Sequence, residues 1–228
     1  MKTALVVAAH PDDEVLGCGA TMARLAHEGW AVHVLIVAEG ATSRADKRDP
    51  MLHKEALSEL AQCAKTANEL LGAASFTLLN LPDNRMDGMD LLDVVKIVES
   101  TIQKHQPSLV LTHHTGDVNV DHAVLHKAVV TACRPQPGYP VQTLLFFEVP
   151  SSTEWQPPAS AMPFAPNYFY DVTSFLDKKM QALDAYKPEM RAFPHPRSVE
   201  AVVHLARWRG ATVGYSAAEA FMLGRAII

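Results

Sequence analysis

The first two-thirds of the chain alternate short, continuous apolar runs with longer segments that have the apolar period of a helix. Residues 4–8 are apolar throughout and residues 31–38 are apolar except for His33, which is typical of strands buried on both faces. Strands that alternate with helices make right-handed crossovers and give a mainly parallel sheet. The predicted strands are residues 4–8, 31–38, 76–79, 109–112 and 144–148, and the predicted helices between them are residues 13–27, 52–71, 91–104 and 121–132.

The composition changes after residue 149. Residues 150–166 are rich in Pro, Ser and Ala, and two further helices are predicted at 174–186 and 199–208. With 228 residues, 48% of them hydrophobic, the chain is long enough to bury one substantial core. We predict an α/β fold in a single domain, 1–228. Its core, 1–149, is three-layer and Rossmann-like, a mainly parallel sheet with helices on both faces, and 150–228 add a Pro-rich loop and a C-terminal loop-helix extension.

Charge and cysteine content exclude several classes of protein. The net charge is −5 and no basic stripe appears, which argues against a nucleic-acid-binding protein. The three cysteines are far apart and form no Cys-x-x-Cys pair, so neither a disulfide framework nor a thiolate zinc site is expected.

No apolar stretch approaches the roughly 20 residues of a membrane span, and the short apolar start is unlike a signal peptide. We expect a cytoplasmic protein.

The segment His10-Pro11-Asp12-Asp13-Glu14 directly follows the first predicted strand. Open α/β sheets place their sites at the carboxyl ends of strands. His10 and Asp13 can ligate a divalent metal there, while Asp12 points elsewhere and is free to handle a proton. The alternative is helix capping by Asp12 or Asp13, with Glu14 in the first turn. Capping explains one carboxylate but not the histidine beside three consecutive acids.

A second segment, Gly116-Asp117-Val118-Asn119-Val120-Asp121-His122, follows the fourth predicted strand. A first-strand His-Pro-Asp-Asp-Glu followed far downstream by Asp-His resembles the LmbE-like, or PIG-L, family of zinc-dependent N-deacetylases. The resemblance implies Zn²⁺ held by His10, Asp13 and His122, a set that suits a hydrolase with one open coordination position. Fe²⁺ or another divalent ion fits the same donors. Asp121 is expected to orient a ligand histidine.

The resemblance also implies catalytic roles. Asp12 is the expected general base, which takes a proton from a water whose pKa the metal lowers toward about 7. Many family members have a histidine that stabilises the tetrahedral intermediate at the position of Asn119. An amide can donate to an oxyanion but cannot supply a proton. His113 or His114 could take over this role, and we name His114 as the candidate; the alternative is that both only pack at a strand end.

Polar residues on other carboxyl-end loops are candidates for substrate binding. Arg44 and Arg48 follow the second strand and Arg85 follows the third, and arginine binds phosphate and carboxylate groups bidentately. Asp83 or Asn84, beside Arg85, can hold sugar hydroxyls. His195 lies, with Arg197, on a Pro-stiffened link that either closes over the site or only connects two helices. For each arginine the alternative is a solvated loop charge.

The residues themselves predict a metal-dependent hydrolase, and the family resemblance implies that it removes the N-acetyl group from an N-acetylated sugar or sugar conjugate. The arginines favour a substrate with an anionic part, such as a nucleotide-activated sugar for surface-glycan synthesis. The alternatives are deacetylation of a glycoside in low-molecular-weight thiol synthesis or of a lipid-linked sugar, and a non-catalytic sugar- or nucleotide-binding protein. We also expect assembly into a homo-oligomer, with neither a nucleic-acid partner nor a membrane span.

Overall fold

The computed structural model describes residues 2–44 and 46–228, Arg44 by its backbone alone. Within them, seven strands form one sheet with helices on both faces. The strands are β1 (Thr3–Ala8), β2 (Ala31–Ala38), β3 (Ser75–Leu81), β4 (Leu109–His113), β5 (Thr143–Phe147), β6 (Tyr168–Asp171) and β7 (Ala218–Ala226), and the helices are α1 (Asp13–His27), α2 (Lys54–Leu70), α3 (Leu91–His105), α4 (Val120–Ala132), α5 (Leu176–Ala185) and α6 (Val199–Ala211).

The strand order in the sheet is β3-β2-β1-β4-β5-β7-β6. Strands β1 to β5 are parallel, whereas β7 runs antiparallel to both β5 and β6. The chain starts in the middle of the sheet, moves outward to β3, and then crosses back to place β4 on the other side of β1. The loops after β1 and β4 therefore diverge at the point where the strand order reverses, which is where α/β sheets form their binding crevice.

Two apolar cores lie on the two faces of this sheet. Alternate residues of each central strand point to opposite faces. Val6 therefore belongs to a core that includes residues of α1, α2, α5 and α6, while Val7 belongs to a core that includes residues of α3 and α4. Strands such as β1 have no polar face because both sides are covered. The predicted three-layer, mainly parallel α/β fold is therefore confirmed. No helix in the described part of the chain combines the length and apolarity needed to cross a bilayer.

The C-terminal part differs from the prediction of a loop-helix extension in one respect. Besides α5 and α6, it adds two strands, and β7 extends the sheet by pairing with β5. Strand β6 joins the sheet through its pairing with β7. Residues 168–226 therefore complete the same sheet that residues 3–147 begin.

Helix α1 is kinked at Cys18, whose backbone lies at φ −149° and ψ 23°. The kink frees backbone groups on both sides of it, and a buried ion pair binds them. Lys179 Nζ donates to the carbonyl of Leu16 at 2.7 Å, and the Glu219 carboxylate accepts from the amides of residues 20 and 21 at 3.1 and 2.6 Å. Lys179 Nζ also lies 2.7 Å from Glu219 Oε1. The pair thus serves as an internal cap that ties α5 and β7 to the first helix.

Candidate active site

A cavity of about 150 Å³ opens at the carboxyl ends of the central strands. The loops after β1, β2, β3, β4 and β5 all contribute to its wall, and the link between α5 and α6 closes one side. His10, Asp12, Asp13 and His122 lie in this wall together. The two sequence segments that carry the family resemblance therefore meet in one cavity, although 109 residues separate Asp13 from His122.

Backbone strain is concentrated around this cavity. Among the described residues other than glycine, five have a clearly positive φ, and four of these line the cavity. They are Asp12 (φ 106°), Ala41 (70°), Asn84 (54°) and Ser151 (70°). Such conformations cost roughly 1–3 kcal/mol each and persist where surrounding contacts hold them. The loops are thus held in shapes that place these side chains and their backbone amides at the cavity.

The three predicted metal ligands converge. Each offers one donor atom, and these atoms lie within 4.8 Å of one another. The contacts centre on one carboxylate oxygen, because Asp13 Oδ2 is 3.2 Å from His10 Nδ1 and 3.1 Å from His122 Nε2. All three side chains are buried or nearly so. Two imidazole nitrogens and one carboxylate form the set that zinc hydrolases use.

A second carboxylate holds the far nitrogen of each histidine. His10 Nε2 lies 3.0 Å from Asp121 Oδ2, and His122 Nδ1 lies 3.1 Å from Asp117 Oδ2. Asp121 also accepts the backbone amides of residues 84 and 86, and Asp117 accepts the hydroxyls of residues 152 and 153. Such carboxylate–histidine pairs are the usual support of metal-binding histidines, because they fix the ring and place its lone pair on the metal side.

This arrangement fits a divalent cation. In a neutral histidine, the nitrogen that faces Asp121 or Asp117 carries the proton. His10 Nδ1 and His122 Nε2 would then direct their lone pairs at the Asp13 carboxylate oxygen. This contact is repulsive unless a positive charge is present. Burial lowers the pKa of His122, but the charge of Asp13 and the hydrogen bond to Asp117 outweigh burial and raise it to about 9. The site therefore attracts positive charge, which a bound metal would supply.

Asp12 occupies the N-cap position of α1 but makes no capping hydrogen bond with its side chain. Its Oδ2 instead lies 3.0 Å from Nη1 of Arg197. The carboxyl is 2% exposed, and this burial raises its pKa to about 8, although Arg197 acts in the opposite direction. Simple capping by Asp12 therefore does not account for the position of this side chain.

Glu14 stabilises the loop after β1 through hydrogen bonds of its carboxylate. Its carboxylate accepts the backbone amide of Asp12 at 3.1 Å, the hydroxyl of Tyr186 at 2.7 Å and the side-chain amide of Asn68 at 3.0 Å. Burial raises the pKa of Glu14 to about 7, while the Tyr186 hydrogen bond acts to lower it. The backbone of Asp12 and its side chain are thus each held by a separate contact.

Asn119 lines the cavity and has two structural bonds of its own. Its oxygen accepts the amide of Asp121 at 2.9 Å, which caps α4, and its nitrogen donates to Asn84 at 2.9 Å. One N–H of the side-chain amide remains for a ligand. His114 is turned away, because its Nε2 lies 2.9 Å from the carbonyl of Met162, and it is not part of the cavity wall.

The predicted substrate residues are spread more widely. Asp83 lines the cavity, where it accepts the backbone amide of Ser43 at 3.0 Å. Arg48 makes a bidentate pair with Glu39 at 2.7 and 3.0 Å, and Arg85 reaches the carbonyl of residue 46 at 3.4 Å. The side chain of Arg44 lies outside the described part of the chain. His195 lies in the link between α5 and α6, where its Nδ1 accepts the amide of Arg197, but it is not part of the cavity wall.

Two supporting residues were not assigned from the sequence. Arg197 lies 185 positions from Asp12, and no local pattern connects them. Asp117 could have been found, because it lies five residues before His122, a predicted metal ligand, and metal-binding histidines almost always donate the N–H of their other ring nitrogen to a carboxylate, a carbonyl or water.

Comparison with known proteins places this arrangement in a family. The family model described as "PIG-L: GlcNAc-PI de-N-acetylase" matches residues 5–133, which is more than half of the chain and includes both segments that carry the predicted metal ligands. The chain belongs to the PIG-L family. The uncharacterized deacetylase YaiS of Escherichia coli (strain K12) is 30% identical over 192 residues, which cover 82% of this chain and 91% of that protein.

Other relatives differ in their named activity. The probable N-acetyl-alpha-D-glucosaminyl L-malate deacetylase 2 of Bacillus cereus is 25% identical over 190 residues, 82% of this chain and 84% of that protein. The 4-oxalmesaconate hydratase of Pseudomonas putida is 28% identical over 197 residues, 80% of this chain and 72% of that protein. The crystal structure of GalB, the 4-carboxy-2-hydroxymuconate hydratase from Pseudomonas putida, superposes with a TM-score of 0.79 at 24% identity, covering 100% of this chain and 98% of that one. Several PIG-L relatives of this chain are thus deacetylases of N-acetylated sugars, and the same fold also carries a hydratase.

Proposed function

We propose that this chain is a zinc-dependent hydrolase that removes the acetyl group from the nitrogen of an N-acetylated sugar, releasing acetate and the free amine. The observation that carries the proposal is the cavity itself. His10, Asp13 and His122 face one another there, and the buried carboxyl of Asp12 lies in the same wall. Fe²⁺ or another divalent metal would suit the same donors.

The residues divide the reaction among them. A divalent metal held by His10, Asp13 and His122 would acidify a water molecule and polarise the amide carbonyl. Asp12 accepts the proton of the attacking water and delivers a proton to the departing nitrogen. The free N–H of Asn119 donates to the carbonyl oxygen as negative charge develops there. Arg197 holds Asp12 in place throughout.

The charges of the cavity favour a neutral sugar. Apart from histidines, the charged residues of its described wall are one guanidinium, Arg197, and four carboxylates, Asp12, Asp13, Asp83 and Glu189. With a divalent cation bound, the formal charge of this wall is −1 when all four carboxyls are ionised and zero when Asp12, whose pKa is raised to about 8, is protonated. The wall therefore has no excess of positive charge to attract an anion. Arg48 is already paired with Glu39, so a nucleotide-linked substrate depends on Arg44 and Arg85 at the outer loops. Asp83 and Asn84 are placed for sugar hydroxyls.

Hydration of an unsaturated carboxylate is the second candidate, because the Pseudomonas putida relative is named for it. A substrate that carries several carboxylates would find no excess of positive charge in this wall, even with the metal bound. We therefore rank deacetylation first.

The test measures metal content and products together. Purified protein is assayed for bound metal, and then for acetate release from N-acetylglucosamine, a chitin disaccharide, an N-acetylglucosaminyl malate, a lipid-linked and a nucleotide-linked N-acetyl sugar. 4-Oxalmesaconate is assayed in parallel for loss of its conjugated absorbance. Acetate release that requires the metal supports the proposal. Metal-dependent addition of water to 4-oxalmesaconate without acetate release would establish the hydratase instead. A protein that contains no metal and binds the sugars without converting them would establish a binding protein.

A further inference from the structure

The aromatic side chains beside the cavity have no place in the chemistry described above. Trp155 is 52% exposed and packs against none of the apolar clusters formed by the described residues. Tryptophan is among the more buried residues on average, and a half-exposed indole next to a polar cavity is a surface suited to a ring-shaped ligand.

Two segments of the cavity wall carry this surface. Ser151 and Arg197 both line the cavity and contact each other, with Arg197 Nε donating to Ser151 Oγ at 3.0 Å. From Ser151 the chain turns immediately to Trp155, and from Arg197 it runs back to His195, whose Nδ1 accepts the Arg197 amide at 3.0 Å. The rings of Trp155 and His195 then meet edge to face, with centroids 5.7 Å apart. The same two segments thus meet twice, once at the cavity wall and once at an exposed aromatic pair.

The size of the cavity indicates what this pair contacts. About 150 Å³ is well below the roughly 300–1,000 Å³ of sites that enclose a drug-sized ligand. A cavity of this size has room for the acetamido group and for at most the one ring that bears it. A second ring attached to the first must lie outside the cavity, at its mouth.

We propose that Trp155 and His195 form a binding surface for a second sugar ring, so that the preferred substrate is an N-acetylated disaccharide or longer glycan. The proposal rests on the proposed deacetylation for the position of the first ring. The C–H groups on one face of a pyranose pack on the indole, while the imidazole holds the indole in orientation and offers a polar edge to a hydroxyl. Neither residue touches the reacting amide, so both act on binding.

The test compares binding and turnover in matched variants. Trp155→Ala is measured beside Trp208→Ala, which removes a tryptophan of similar exposure (66%) from α6, away from the cavity wall. For a chitin disaccharide, Trp155→Ala should raise KM about tenfold with little change in kcat, while KM for N-acetylglucosamine stays the same. Trp155→Phe should restore most of the affinity, and Trp208→Ala should match the wild type for both sugars.

Direct binding keeps the test independent of catalysis. Calorimetric titration of the Asp12→Asn variant, with and without Trp155→Ala, should show about tenfold weaker binding of the disaccharide alone. If the wild type releases no acetate but this difference persists, the proposed function fails and the binding surface stands. Equal disaccharide binding with and without Trp155 would overturn the surface, as would a loss seen equally with the monosaccharide. An aryl glycoside of N-acetylglucosamine is titrated as well. If Trp155→Ala weakens the binding of this aryl glycoside alone, the surface binds a planar aromatic group and the sugar assignment is overturned.

Discussion

Replacing Lys179 with methionine should destabilise the protein strongly without touching the cavity. The methionine keeps most of the apolar stem but removes the cation that Glu219 faces at 2.7 Å, in a region where both side chains are about 4% exposed. Removing one partner of a buried ion pair typically costs about 3–5 kcal/mol, because the other charge is left buried and unpaired. The carbonyl of Leu16 loses its side-chain donor as well.

The expected shift in melting temperature follows from the chain length. With an unfolding entropy of about 2.1 cal/mol/K per residue, 228 residues give roughly 0.48 kcal/mol/K. A loss of about 3–5 kcal/mol therefore lowers the melting temperature by roughly 6–10 °C. Differential scanning calorimetry and urea unfolding measure this directly.

The control is an exposed ion pair. Lys96 and Glu99 are also 2.7 Å apart, but the Lys96 side chain is 65% exposed. Such pairs contribute about 0–1 kcal/mol, so Lys96→Met should leave the melting temperature within about 2 °C of the wild type. Glu219→Gln and the double variant Lys179→Met/Glu219→Gln complete a cycle in which the double loss is smaller than the sum of the single ones. A Lys179→Met protein that melts with the wild type would refute the argument that the pair caps the kink in α1.

Four further changes test the site. Asp12→Asn should retain metal but lower turnover about 10²–10⁴-fold, as expected for loss of a general base; near-normal turnover with bound metal would end that assignment. Asp117→Asn should weaken metal affinity about 10–100-fold in a competition titration with a chelator, whereas the exposed Asp87→Asn should not change it. Asn119→Ser keeps a capping hydroxyl but removes the amide donor, so kcat should fall more than KM rises; full activity would leave Asn119 with the cap alone. Arg197→Ala should lower kcat about 10–100-fold, the value of a charge-assisted hydrogen bond, with metal content unchanged and partial rescue by millimolar guanidinium; Arg191→Ala in the same link is the control.

The central strands and their helices were predictable because each is marked by a mainly apolar run or by a helical period. The bounds of α1 and β2 agree with the prediction to the residue. Strands β6 and β7 were missed for a physical reason. β6 has four residues, and β7 carries Glu219 on its buried side, a charge that only the distant Lys179 makes tolerable. A sequence pattern records the polarity of a residue but not the partner that neutralises it.

The candidate site, like the fold, could be predicted from the sequence only in part. The convergence of His10, Asp13 and His122 was foreseeable, because parallel strands bring their carboxyl ends to one edge of the sheet. The contacts that hold Asp12 were not. Arg197 and Tyr186 come from the C-terminal part, and their positions depend on how α5 and its following link fold over the loop after β1. The assignment of the metal, of Asn119 and of the substrate-binding residues stays a prediction.

The pairing of β6 through β7 has a consequence for how the protein matures during synthesis. Residues 168–171 reach the sheet only after residues 218–226 have been made and have docked beside β5. Such long-range pairing forms late, because the entropy of closing the loop is lost before the contacts between the strands stabilise the structure. Tyr186 and Arg197 lie within that loop. Until that loop closes, Asp12 lacks the contacts that Tyr186, through Glu14, and Arg197 provide. We therefore expect any activity that depends on Asp12 to appear only when the last strand is in place.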